Sequence, residues 1–128
     1  MAKKLFGVLL DVKEAKAERI EIEDELQEFY RVIDCDWIDI TQRRIGGKPF
    51  SIVCDDEGLF NDKPKISAID LIGNPMLVGN LLILSANNTG GELESLTEAE
   101  AAHILKRVVK IKTKNYPDEY PILTQVEY

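Results

Sequence analysis

Cys35-Asp36-Trp37-Ile38-Asp39-Ile40, then Gly46-Gly47-Lys48-Pro49, then Phe50-Ser51-Ile52-Val53-Cys54, is the stretch on which the fold turns. Cys35, Trp37 and Asp39 alternate with Asp36, Ile38 and Ile40, so successive side chains point to opposite faces and each face carries an apolar group. The glycine pair followed by Lys-Pro is turn chemistry. The run that follows is apolar and β-branched. Two such runs around a short glycine turn predict an antiparallel hairpin, and Asp55-Asp56-Glu57-Gly58 predicts a tight turn at its far end.

Working toward the N-terminus, Leu26, Phe29, Tyr30 and Ile33 recur at i, i+3, i+4 and i+7, the stripe of an amphipathic helix. Asp24, Glu25 and Glu28 put negative charge at its start, where the backbone dipole favours it. Before it, Glu18-Arg19-Ile20-Glu21-Ile22-Glu23 alternates charge with isoleucine, as a strand with one wet face does. Leu5–Leu10 is apolar on both faces and predicts a central strand, joined to it by a charged connection over 12–17.

Toward the C-terminus, 59–74 reads as loop with a helical turn at Ser67–Leu71. Met76–Leu84 reads as one long apolar strand, with Gly79 marking a bulge or a close backbone approach. Asn87–Gly91 reads as loop. Leu96-Thr97-Glu98-Ala99-Glu100 is a capping box with Thr97 at the N-cap and Leu96 placed to staple onto Ala101. Ala101, Ile104, Leu105 and Val108 extend that helix's apolar stripe, and Lys106, Arg107 and Lys110 set positive charge at its negative end. Tyr116–Pro121 reads as linker and Ile122–Tyr128 as an edge strand or ordered tail.

The element order is therefore β β α β β (loop) β α, with a last strand at the end. The expected class is α+β: a mixed, mainly antiparallel sheet of about five strands with two helices packed on one face. The expected organisation is one domain over 1–112 and an extended tail or edge strand over 113–128. At 128 residues, with 45% hydrophobic and 30% charged residues, the chain can bury a core without a disulfide or metal staple. Two cysteines fit a reducing compartment, and a cytoplasmic location is expected. The N-terminal apolar run stops at Asp11, short of a signal peptide. The longest uncharged stretch, Leu71–Gly91, is broken by glycine, asparagine and proline, so no membrane helix is expected.

In this order and spacing, the segments from Leu26 to Leu105 resemble the domain of unknown function 3846 family, short proteins of bacteria, phages and plasmids. The elements that carry the resemblance are Leu26–Ile33, Trp37–Ile40, Ile52-Val53-Cys54-Asp55-Asp56-Glu57-Gly58, Asn61–Pro64, Val78-Gly79-Asn80-Leu81-Leu82 and Ser95-Leu96-Thr97-Glu98-Ala99-Glu100. Asp34-Cys35 stands where the pattern has a glycine pair, and the chain past Lys110 lies outside it. The resemblance implies a mobile-element or gut-bacterial setting and supplies no catalytic residues.

The residues themselves offer few chemical constellations. Cys35 and Cys54 fall on expected hairpin partners, but His103 is the single histidine and no CxxC spacing occurs, so buried thiols are favoured over zinc. His103 has no nucleophile motif beside it. Asp34, Asp36 and Asp39, with Asp55-Asp56-Glu57, lack EF-hand spacing and read as solvated turn carboxylates. Gly46-Gly47-Lys48 and Asn87–Gly91 match neither phosphate-loop pattern. Gln42-Arg43-Arg44 with Lys48 is a basic patch in a protein whose 16 Lys+Arg are outnumbered by 23 Asp+Glu, for a net charge of −7. A charged hairpin edge explains it more simply than a ligand does.

No enzyme, metal or cofactor is expected. The leading expectation is a non-enzymatic accessory or binding protein of a mobile genetic element, acting on a protein partner. The first alternative is a binder of a nucleotide-like anion through Arg43, Arg44 and Lys48, with Trp37 as a stacking wall. The second is an acidic decoy of a DNA-binding protein. Net negative charge disfavours duplex nucleic acid as a partner. Ile122–Tyr128, as an exposed edge, is expected to pair two chains into a homodimer.

Overall fold

The computed structural model describes residues 3–35, 37–55, 65–86, 92–114 and 116–128. The elements in chain order are β1 (Lys4–Asp11), β2 (Lys16–Glu23), α1 (Leu26–Ile33), β3 (Ile38–Ile45), β4 (Lys48–Asp55), β5 (Ile66–Ile69), β6 (Pro75–Val78), β7 (Leu81–Ser85), α2 (Glu98–Leu105), β8 (Val108–Ile111), β9 (Tyr120–Leu123) and β10 (Val126–Glu127). They form a six-stranded sheet in the order β10-β3-β4-β7-β1-β2 and a four-stranded sheet in the order β6-β5-β9-β8. Every pairing is antiparallel except that of β5 with β9. The class is α+β and mainly antiparallel, as the patterning implied.

The hairpin forms as expected. Ile45 faces Lys48 across Gly46 and Gly47, whose φ angles of 58° and 82° are both positive. That is the geometry of the two-residue turn whose twist matches its strands. Along β3 and β4, Ile45, Phe50, Ile52 and Cys54 point to one face, and Val53 points to the other.

The two faces of the large sheet bury different cores. On one, Leu5, Leu9, Ile22, Val53, Leu82 and Leu84 pack against Phe29, Val32 and Ile33 of α1. On the other, Val8, Leu10, Ile52, Leu81 and Ile83 pack against Ala101 and Ile104 of α2 and against Ala68, Tyr120, Ile122 and Leu123 of the small sheet. The helices thus lie on opposite faces rather than on one. Central strands apolar on both sides demand cover on both, and α1 alone covers only one.

Other segments depart from the expectations because tertiary contacts override local pattern. Ile66–Ile69 is strand, where a helical turn at Ser67–Leu71 was expected. Met76–Leu84 is two strands in different sheets, and Gly79, with φ of 76°, makes the corner between them. Asn80 at that corner is buried; its Oδ1 accepts from Val12 N at 3.0 Å and its Nδ2 donates to Val32 O at 3.1 Å. Val12, read as part of a polar connection, is itself buried. On α1 the buried stripe is Phe29, Val32 and Ile33, while Leu26 is exposed. Val108 starts β8 instead of extending α2.

The C-terminal segment, read as tail or edge strand, supplies both sheets. β9 is an interior strand between β5 and β8, and Tyr120, Ile122 and Leu123 are buried in the core shared with α2. β10 lies at an edge but faces only Ile45 and Arg44 of β3. The turns expected at Asp56–Gly58 and Asn87–Gly91, and the residue Asp36, lie outside the described residues.

Candidate interaction surface

Arg43, Arg44, Lys48 and Trp37 do not converge. Arg43 and Arg44 are neighbours on β3, so their side chains leave opposite faces. Lys48 sits at the turn end of the hairpin and Trp37 just before the other end of β3. Trp37 and Arg44 are seven positions apart along extended chain, roughly 23 Å at the usual rise per residue. Trp37 cannot form a stacking wall for an anion held at Arg44 and Lys48.

Each of these residues has another setting. The Arg43 guanidinium lies 4.5 Å from the centroid of the Tyr128 ring and donates to Thr41 Oγ1 and to the Gln42 carbonyl. Around the Gly46-Gly47 turn, the Nε2–H of His103 donates to Ile45 O at 2.8 Å. Arg107 donates through Nη1 to His103 O at 2.8 Å and through Nε to Gln125 Oε1 at 3.2 Å. Arg107 therefore ties α2 to the strand connection after β9, a role its place in a basic run did not reveal. His103 thus joins α2 to the end of β3.

Cys54 packs in the core on the α2 side, and Cys35 lies against the core on the α1 side. The sheet separates their environments. Among the described residues no three His, Cys, Asp or Glu side chains gather as a metal set would. Nor is any helix among them long and apolar enough to cross a membrane.

The distinctive surface is a corner that patterning missed. The turn between β5 and β6 carries Leu71 and Ile72, which are 67% and 84% exposed. They share a concavity of about 210 Å³ with Asp70, Met76, Glu127 and the exposed ring of Tyr128. The turn is held from within. Asp70 Oδ1 accepts from Ile72 N at 3.0 Å and from Asn74 N at 2.8 Å, and Oδ2 accepts from Asn74 Nδ2 at 3.1 Å. The Asn74 amide, followed by weaker bonds from Ile72 and Gly73, holds the Asp70 carboxyl below the usual carboxylate range. The signal available in the sequence was Asp70 followed by two apolar residues and Gly-Asn-Pro, an aspartate-initiated turn with an apolar tip.

Beside this corner a second concavity, of about 240 Å³, runs between β3 and β6 and is lined by Asp39, Thr41, Arg43, Met76, Val78 and Tyr128 among others. The two concavities adjoin and share Met76 and Tyr128. Fold and surface together describe a small α+β protein with an exposed apolar corner. The chain belongs to the family described as domain of unknown function DUF3846, whose model matches residues 5–109. No curated protein and no solved structure matches it.

Proposed function

We propose that the protein is a non-enzymatic binding protein that engages a partner protein through the Leu71–Ile72 corner, in the mobile-element setting that the family resemblance implies. One observation carries the reading: two adjacent large apolar side chains are held mostly in solvent by a turn pinned by three hydrogen bonds to Asp70. Burying such side chains recovers a free energy that the isolated protein forgoes, about 1.5–3 kcal/mol for each one fully covered. Fixing them beforehand lowers the ordering cost of binding. Asp70 and Glu127 at the rim favour a partner whose apolar anchor is flanked by cations.

Site-specific photocrosslinking tests this. A crosslinker placed at Ile72 is expected to give one discrete adduct in the producing cell, and one placed at Glu21 on β2 is expected to give none. Equal labelling from the two positions, or none from Ile72, rules the corner out.

A further inference from the structure

The expected pairing edge, Ile122–Tyr128, is largely occupied within the molecule, but its partner strand is not. β3 runs from Ile38 to Ile45, whereas β10 covers only Arg44 and Ile45. Among the described residues nothing pairs with the outer edge of β3 from Ile38 to Gln42.

The direction of the free backbone groups follows from the hairpin. Arg44 faces Pro49, and proline has no N–H to donate, so this pair is of the non-hydrogen-bonded kind. Antiparallel pairs alternate, so Arg43, Thr41 and Asp39 direct N–H and C=O toward β4. Ile38, Ile40 and Gln42 direct theirs outward.

The other sheet edges are guarded. Five of the eight residues of β2 are charged. β6 begins with Pro75 and pairs irregularly, and β8 has four residues with Lys110 among them. Ile38-Asp39-Ile40-Thr41-Gln42 carries one charge in five, with Ile40 exposed on the α1 side. Proteins seldom leave an edge of that composition uncovered.

We infer that a second copy of this chain covers it, the two β3 edges pairing antiparallel about a two-fold axis at Ile40. In that register Ile40 meets Ile40 of the second copy, Ile38 meets Gln42, and Asp39 meets Thr41. No like charges oppose one another, and each outward-facing pair exchanges both of its backbone bonds. Continuing the β10 register places Tyr128 opposite Arg43, in keeping with the stacking of that pair. The incoming strand enters at its own Ile38 opposite Gln42, one position beyond Tyr128, and the bend at its Trp37 must carry the preceding chain out of the line of β10. An isologous contact of this kind closes on itself, and the charged β2 edge opposes further growth, which gives a dimer and not a filament.

Sedimentation equilibrium of the full chain is expected to give twice the chain mass. Ile40→Glu sets like charges against each other on the axis while altering a side chain that is already exposed; it is expected to weaken the dimer by roughly 100-fold or more. Ile40→Pro removes an outward N–H, spares the β3–β4 bonds and is expected to do the same. Hydrogen exchange is expected to show the Ile38, Ile40 and Gln42 amides protected in the wild type and unprotected in Ile40→Glu. A wild type that stays monomeric at its highest soluble concentration overturns the inference, as does a dimer unaffected by Ile40→Glu. Leu71→Ser with Ile72→Ser leaves this edge intact and is expected to keep the dimer, which separates it from the partner-binding corner.

Discussion

Gly46 shows how much one missing methyl group can carry. Its φ of 58° lies in the left-handed region, and a Cβ there would land on the Arg107 guanidinium. Gly47 has the same backbone need, but nothing lies within 4 Å of where its Cβ would be. Gly47→Ala is therefore expected to lose about 1 kcal/mol, the cost of the left-handed backbone alone. Gly46→Ala must also displace Arg107 from Gln125 and His103, and a loss of about 2–3 kcal/mol is expected. Urea unfolding of the two variants checks the ranking. The glycine pair was legible as a turn from sequence. The difference between its members was not, because Arg107 arrives from 61 positions beyond Gly46 in the chain.

At the level of the element, α2 and the Asp70 turn are both held by side chains bonding local backbone. In α2, Thr97 Oγ1 accepts from Glu100 N at 3.1 Å, and the Glu100 carboxylate accepts from Thr97 N at 3.0 Å. Thr97→Ala is expected to cost about 1 kcal/mol in thermal unfolding. This box was fully readable in the sequence, since all its partners lie within four residues. The Asp70 turn is equally local, yet the pattern suggested a helical turn there, because the pairing of β5 with β6 and β9 comes from outside the segment.

The turn also responds to pH. The folded carboxyl of Asp70 titrates below its unfolded value, so the ionised form favours the folded turn. Its contribution is complete above the ordinary carboxylate range and fades as pH falls through the lowered folded value. The midpoint difference between wild type and Asp70→Ala is expected to be largest near neutral pH and to vanish in strong acid. Thermal melts from neutral pH downward check this.

Across the whole molecule, the last residues decide whether the sandwich exists. Tyr120, Ile122, Leu123 and Val126 are each no more than 1% exposed, and β9 joins β5 to β8. A chain ending at residue 113 would lose the inner strand of the small sheet and expose the core face of the large one. It is expected to lack the cooperative unfolding transition of the full chain in circular dichroism. The basic residues redistribute at this scale too. Arg43 stacks on Tyr128 and Arg107 bridges α2 to Gln125, so both are engaged within the fold.

Local chemistry carried the hairpin, the wet face of β2, the helix at Thr97 and the α+β class, because periodicity, glycine turns and caps act over a few residues. The net charge of −7 was likewise plain in the sequence. Only the tertiary structure decided that the helices lie on opposite faces, that Gly79 divides one apolar run between two sheets, and that β10 stops two residues along β3. Each of these depends on which distant strand fills a given space, and the competition among buried surfaces that settles it has no signature within a single segment.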